Sequence, residues 1–121
     1  MDHQHLLDKI MDIDENLRYG TICDMNAKSV CTSKRDGVET FLSPEETQET
    51  LQHAVNAWKS RTKHYDKIGK GLYTMAVYEK LRRVTFPLND DHLLLVTIDN
   101  NGGRVIVDRI LNELYGDYTM D

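Results

Sequence analysis

No stretch of this 121-residue sequence is apolar for more than four residues, Leu93 to Val96 being such a run. A membrane-crossing helix needs about 20, so none is expected. The opening MDHQHLLDKIMDIDENLRYG mixes acids among its apolar positions, which fits neither a secretory signal nor a transit peptide. A cytoplasmic protein is the expectation. Cysteine is scarce: Cys23 and Cys31 stand alone, with no CxxC spacing for zinc or thiol redox chemistry. They read as small buried hydrophobes; a two- or four-residue hairpin loop between them turns them to opposite faces, away from any disulfide, and only an odd-length loop would set them opposite each other. Proline occurs twice and glycine seven times, without repeats or low-complexity stretches, so neither a linker nor a fibrous rod is present. Residues 1–121 therefore read as one domain, long enough to bury a core without disulfide or metal.

Motifs for the common chemistries are missing too. There is no G-x-S-x-G elbow, H-E-x-x-H pair, Walker loop or G-x-G-x-x-G, and Gly69-Lys70-Gly71 lacks the strand before and helix after that make a phosphate cradle. It reads as a hinge leading into a strand. Five histidines and two cysteines show no local pairing of nucleophile with base. The expectation is a non-enzyme without a cofactor.

What is present is a clear sequence of periodicities. Leu6, Leu7, Ile10, Met11 and Ile13 recur at helical spacing, predicting a helix over 3–14. From Leu17 to Met25 the period falls to two, and Lys28 to Ser33 reads as the returning strand of a hairpin, its turn spanning Asp24 to Lys28 with Asn26 suited to the left-handed conformation. Ser43-Pro44-Glu45-Glu46 is a strong helix start: a Ser cap, Pro in the first turn, and Glu placed for a capping box. The stripe Leu51, Ala54, Val55, Trp58 carries that helix to about Thr62 and leaves His53 on the solvent side. Three β-rich runs follow, Leu72–Glu79, Arg83–Leu88 and His92–Asp99, read as a meander. The last has apolar residues on both faces and should be central. After the turn Asn100-Asn101-Gly102-Gly103, Val107, Ile110, Leu111 and Leu114 form a final helical stripe ended by Gly116.

The element order, the Asp-x-Asn turn of the first hairpin, and the strand LLLVTID followed by the helix GRVIVDRILNEL resemble the Roadblock family, relatives of the dynein light chain Roadblock and of bacterial and archaeal GTPase regulators. The resemblance spans nearly the whole chain. Longin and PAS-type domains share much of this profilin-like layout. The chain departs from the family in having Ala27 where the turn commonly holds Gly, and in its Ser-Pro-Glu-Glu cap. Segments such as CDMNAK and AVNAWKSR are also similar to a set of small archaeal proteins, which carry no function over. The resemblance implies an α/β (α+β) fold, a five-stranded antiparallel sheet with helices packed on it. It implies a homodimer in which the second helix and third strand meet their symmetry mates, and a non-catalytic scaffold for a small GTPase or a larger complex. Trp58, Tyr73 and Met75 are the expected dimer contacts.

Three further readings compete with the scaffold or refine it. Met1-Asp2-His3 can supply an amine, two ionised amides and an imidazole to Cu(II) or Ni(II) in a square plane, with His5 adding a ligand. A small-molecule sensor could hold its ligand among Tyr73, Met75, Tyr78 and Phe86. Charge is unevenly placed: residues 59–83 hold eight of the 15 basic residues and two acids, a net of +6, against −11 for the remainder of a chain whose total is −5. Lys67, Lys70, Lys80, Arg82 and Arg83 are the expected contacts for an anionic partner. Because the remainder repels phosphate, an acidic protein surface fits better than nucleic acid.

Overall fold

The computed structural model describes residues 2–116. α1 (His3–Met11) leads into the hairpin β1 (Leu17–Asp24) and β2 (Ser29–Lys34). α2 (Pro44–Thr62) follows, then a single turn α3 (Tyr65–Ile68), the meander β3 (Thr74–Val77), β4 (Leu81–Pro87) and β5 (His92–Asp99), and finally α4 (Val105–Tyr115). The sheet order is β2-β1-β5-β4-β3 and every pairing is antiparallel.

β5 lies in the middle because its apolar residues fit both faces. Leu94, Val96 and Ile98 pack with Leu7, Ile10, Ile106 and Ile110 of α1 and α4, while Leu93 and Leu95 pack with Leu51, Val55 and Trp58 of α2. The sheet is thus sandwiched between α1 with α4 on one face and α2 on the other. Gly20 explains how α1 sits so close: a Cβ there would lie 2.8 Å from Leu7 Cδ1 and 3.1 Å from Met11 Sδ. β3 and β2 are the sheet's edges, and Pro87 ends its strand opposite Leu93, beyond the reach of β3.

The start of α2 has the expected form. Ser43 accepts the N–H of Glu46 through its side chain, and the Glu46 carboxylate accepts the N–H of Ser43. At the other end of the chain Gly116, at φ 74°, closes α4.

Some expectations are corrected. In the hairpin turn Ala27, at φ 63°, takes the left-handed conformation in place of Asn26. The Asp24 side chain imposes this by accepting the N–H groups of both Asn26 and Lys28, while buried Ala27 packs beneath α2 and its carbonyl accepts Gln48 Nε2. Tertiary contact outweighs Asn's local preference there. Arg82, left outside its strand by the periodicity, begins β4 beside Leu81. The loop 25–27, closed by the Asp24 N–H on the Lys28 carbonyl, has odd length, but the bulge between Ile22 and Cys23 shifts the register so that Cys31 pairs with Ile22 and Cys23 projects from the other face; both thiols are free, Cys23 buried and Cys31 partly so.

Candidate functional site

α2 covers only part of its face of the sheet. Its buried stripe meets β1 and β5 at Cys23, Leu93 and Leu95, and Trp58 reaches β4, donating its indole N–H to Thr85 Oγ1 at 2.9 Å. Two hollows flank the helix and share Thr50, Tyr78, Arg83 and Leu95. Arg83 stands between sheet and helix there, donating to Thr50 Oγ1 at 2.8 Å.

The first hollow, about 550 Å³, lies under the segment 38–42, which joins β2 to α2. That segment is held down by Arg18, which donates to the Glu39 carbonyl at 2.9 Å and reaches Asp99 at 3.4 Å. Phe41 is gripped by two cations, with Arg18 Cζ 5.0 Å and Lys80 Nζ 5.2 Å from its ring centroid. Tyr19, Leu81, Leu95 and Thr97 form the floor. Below the segment, Arg35 fixes the chain path by donating to the carbonyls of Leu17, Met11 and Asp14. An apolar chamber with a rim of charges can take a small organic molecule. No sequence signal announced it. Its walls come from five separate elements, β1, β2, α2, β4 and β5, and periodicity assigns nothing to residues 35–42. Of the four residues expected to line a ligand pocket, Tyr78 alone borders this chamber; Tyr73 and Phe86 pack together with ring centroids 6.0 Å apart, and Met75 lies on the sheet edge.

The second hollow, about 430 Å³, is a groove between α2 and β3 lined by Ala54, Ala57, Thr74 and Ala76. Small side chains leave room there for another backbone element. The open edge of β3 runs beside it, and Met75 and Val77 are exposed on that strand.

The expected dimer contacts fare differently. Trp58 is 2% exposed and belongs to the core, with Arg61 stacked 4.9 Å from its ring. A side chain so enclosed offers no surface to a partner. Tyr73 is half-buried against the core, and Met75, 37% exposed, does face outward.

Among the basic residues, Lys67 and Lys70 are exposed near the end of α3, Lys70 beside Asn89 and 5.9 Å from the Tyr115 ring centroid. Lys80 is exposed at the chamber's rim. Arg82 is only 8% exposed and donates to the carbonyls of Asp99 and Gly102, anchoring the turn before α4. It is therefore a structural residue and leaves the expected docking set. Arg83, half-buried, serves the partition described above.

His3 and His5 do not converge. Two residues apart on a helix they diverge by about 200°: His3 turns to Asp90, 2.7 Å away, while His5 is exposed and its N–H caps onto Asp2. Met1, required for the amino-terminal copper or nickel site, lies outside the described residues.

Neither thiol of the hairpin is placed to act as an activated nucleophile. Burial, with Asp24 adding to it, pushes the Cys23 thiol up to about 11, and burial also raises Cys31. Tyr115, whose hydroxyl donates to the Pro87 carbonyl, is raised to about 12, by burial first and Tyr65 second. The Asp24 carboxylate is held below its usual range by the N–H groups of Lys28 and Asn26.

No protein-family model matches the sequence, and no curated protein sequence matches it. Solved structures do. The gliding protein MglB from Thermus thermophilus is similar over 92% of this chain and 84% of its own, with TM-score 0.69 and 9% identity. An MglB structure described as having a tetrameric arrangement gives TM-score 0.71 at 11% identity, over 92% of this chain and 83% of that one. A Roadblock/LC7 domain from Streptomyces avermitilis gives TM-score 0.68 at 7% identity, over 91% and 88%. The structural neighbours are Roadblock/LC7 domain proteins, and this chain has their fold, a five-stranded antiparallel sheet with helices on both faces.

Proposed function

We propose that this chain, as the single domain 1–121, is a non-catalytic homodimeric adaptor that docks an acidic cytoplasmic protein, a small GTPase being the partner class the Roadblock resemblance implies. The observation that carries the reading is the α2–β3 groove. A second copy's α2 fits a trough of Ala54, Ala57, Thr74 and Ala76, and the open β3 edge alongside can pair with its own mate, burying Met75 and Val77. The tetrameric arrangement of the similar MglB structure supports self-association on this fold. With buried Arg82 and half-buried Arg83 set aside, Lys67, Lys70 and Lys80 of the expected contacts are exposed, and Lys59, Arg61 and Lys63 of the same basic segment are exposed beside them in sequence. An otherwise acidic molecule carrying such a patch orients an approaching acidic surface.

Light scattering of the untagged protein at tens of micromolar tests the reading. A dimer is expected, reduced to monomer by Ala57→Glu or Ala76→Glu with the melting of the subunit itself retained. A wild type that stays strictly monomeric overturns it. Capture of a GTPase from native extract that weakens with salt then identifies the partner.

The 550 Å³ chamber favours a second reading, a small-molecule sensor. A rise in melting temperature with one member of a metabolite panel, absent when the chamber is filled by Thr97→Trp, distinguishes it from a pure scaffold.

A further inference from the structure

The turn from β4 into β5 is tight. Leu88 donates its N–H to the His92 carbonyl at 2.8 Å, and Asp91 adopts φ 61°, a left-handed conformation that a non-glycine residue takes at a cost. This conformation presents the side chains of Asp90 and His92 together, and the first residue of α1 meets them from the other end of the sequence. His3 Nε2 lies 2.7 Å from Asp90 Oδ2, His92 Nδ1 lies 3.4 Å from Asp90 Oδ1, and the two imidazole centroids are 4.2 Å apart. One donor atom from each of the three residues falls within 4.8 Å of the other two.

Hydrogen bonding does not account for the whole cluster. Asp90 Oδ2 is served by His3, and His92 Nδ1 lies 2.9 Å from the Asp90 carbonyl, but Asp90 Oδ1 is buried and has no hydrogen-bond partner among the described residues. A buried carboxylate oxygen without a donor is costly, and two imidazoles beside it bring further lone pairs. A cation answers that imbalance. Imidazole nitrogen with one carboxylate selects zinc-like divalent ions over magnesium or calcium. Tetrahedral zinc with bonds of about 2.0–2.1 Å sets its donors about 3.3 Å apart; the separation of His92 Nδ1 from Asp90 Oδ1, 3.4 Å, matches it, while His3 Nε2, at hydrogen-bond distance from the other oxygen, draws back to admit the ion.

We propose that His3, Asp90 and His92 bind one divalent transition-metal ion of the zinc class, tying the start of α1 to the β4–β5 turn. Three protein donors leave a fourth position for water or an external ligand. This site is separate from the adaptor reading, and it is distinct from an amino-terminal copper site, which needs neither Asp90 nor His92.

Calorimetric titration of untagged protein with zinc chloride, supported by the visible spectrum of the cobalt(II) form, decides the matter. One ion per chain is expected. His92→Asn and Asp90→Asn should each weaken binding about 100-fold or more, since even loss of a residue that merely orients a ligand costs 10- to 100-fold. His5→Ala should leave it unchanged. No saturable binding to the wild type, or binding undiminished in both His92→Asn and Asp90→Asn, overturns the proposal. Should either variant fold poorly, imidazole NMR of the wild type serves instead: zinc must shift His3 and His92 and spare His5, His53 and His64, and any other pattern overturns it.

Discussion

Replacing Gly71 by Ala would set a methyl carbon 2.5 Å from Trp58 Cζ3 and 3.2 Å from its Cη2, with Tyr65 Cε1 at 3.4 Å. Carbon atoms do not approach so closely, and the indole cannot retreat, being 2% exposed and tied to Thr85 by its N–H. Overpacking of this kind costs about 1–3 kcal/mol, less about 0.4–1 kcal/mol regained because Ala restricts the unfolded chain. A net loss of about 1–2 kcal/mol follows. Trp58→Phe removes the outer ring atoms that Ala would strike. Alone it should cost about 2–3 kcal/mol, from one hydrogen bond at about 1 kcal/mol and lost apolar burial with its cavity. In the double variant the methyl enters the space that the outer ring vacated, so the second substitution should cost close to nothing. The coupling of about 1–2 kcal/mol exceeds the roughly 0.3–0.5 kcal/mol scatter of independent sites. Urea unfolding followed by far-ultraviolet circular dichroism reads all four proteins, a probe that survives loss of the chain's single Trp. Additive costs would refute the placement of Trp58 over Gly71. A change in self-association caused by Trp58→Phe would refute its assignment to the core.

Further outcomes are expected elsewhere. Because the Asp24 carboxylate sits below its usual range when folded, its contribution is complete above that range and is lost as pH falls through the folded value; the melting gap between wild type and Asp24→Ala should therefore close in acid, and a gap constant from neutral pH to about pH 2 would contradict the turn geometry. Cys23, raised from 9.0 to about 11, should react with a thiol reagent about 100-fold more slowly in the native protein than when unfolded in urea, and equal rates would show that its burial is wrong. Lys63→Glu, Lys67→Glu and Lys70→Glu together should abolish salt-sensitive capture of an acidic partner, whereas Arg82→Gln should chiefly lower the melting temperature, because it strips the Asp99 and Gly102 carbonyls of their donor.

Local chemistry was legible wherever a few neighbouring residues sufficed. The Ser43 capping box, the Gly116 stop and the position of β5 at the sheet's centre all follow from spacing within one or two elements, whereas the opposite facing of the two cysteines comes from a β-bulge that loop parity does not foresee. Trp58 shows where such reading ends. Its helical stripe says only that it faces inward; whether inward means a core or a dimer contact depends on Gly71 and Thr85, which come from other parts of the chain. Charge counting failed at Arg82 for the same reason, since composition registers a cation whether it meets solvent or two backbone carbonyls.

The sequence by itself determined the order of elements, their amphipathic faces and the uneven charge, because these depend on periods of two and 3.6 and on caps a few residues long. Tertiary structure decided the sites. The chamber beneath 38–42, the α2–β3 groove and the cluster of His3, Asp90 and His92 each join residues from distant parts of the chain, His3 and Asp90 being 87 positions apart. Only the packing of both helical layers onto one sheet brings such residues within reach of one another.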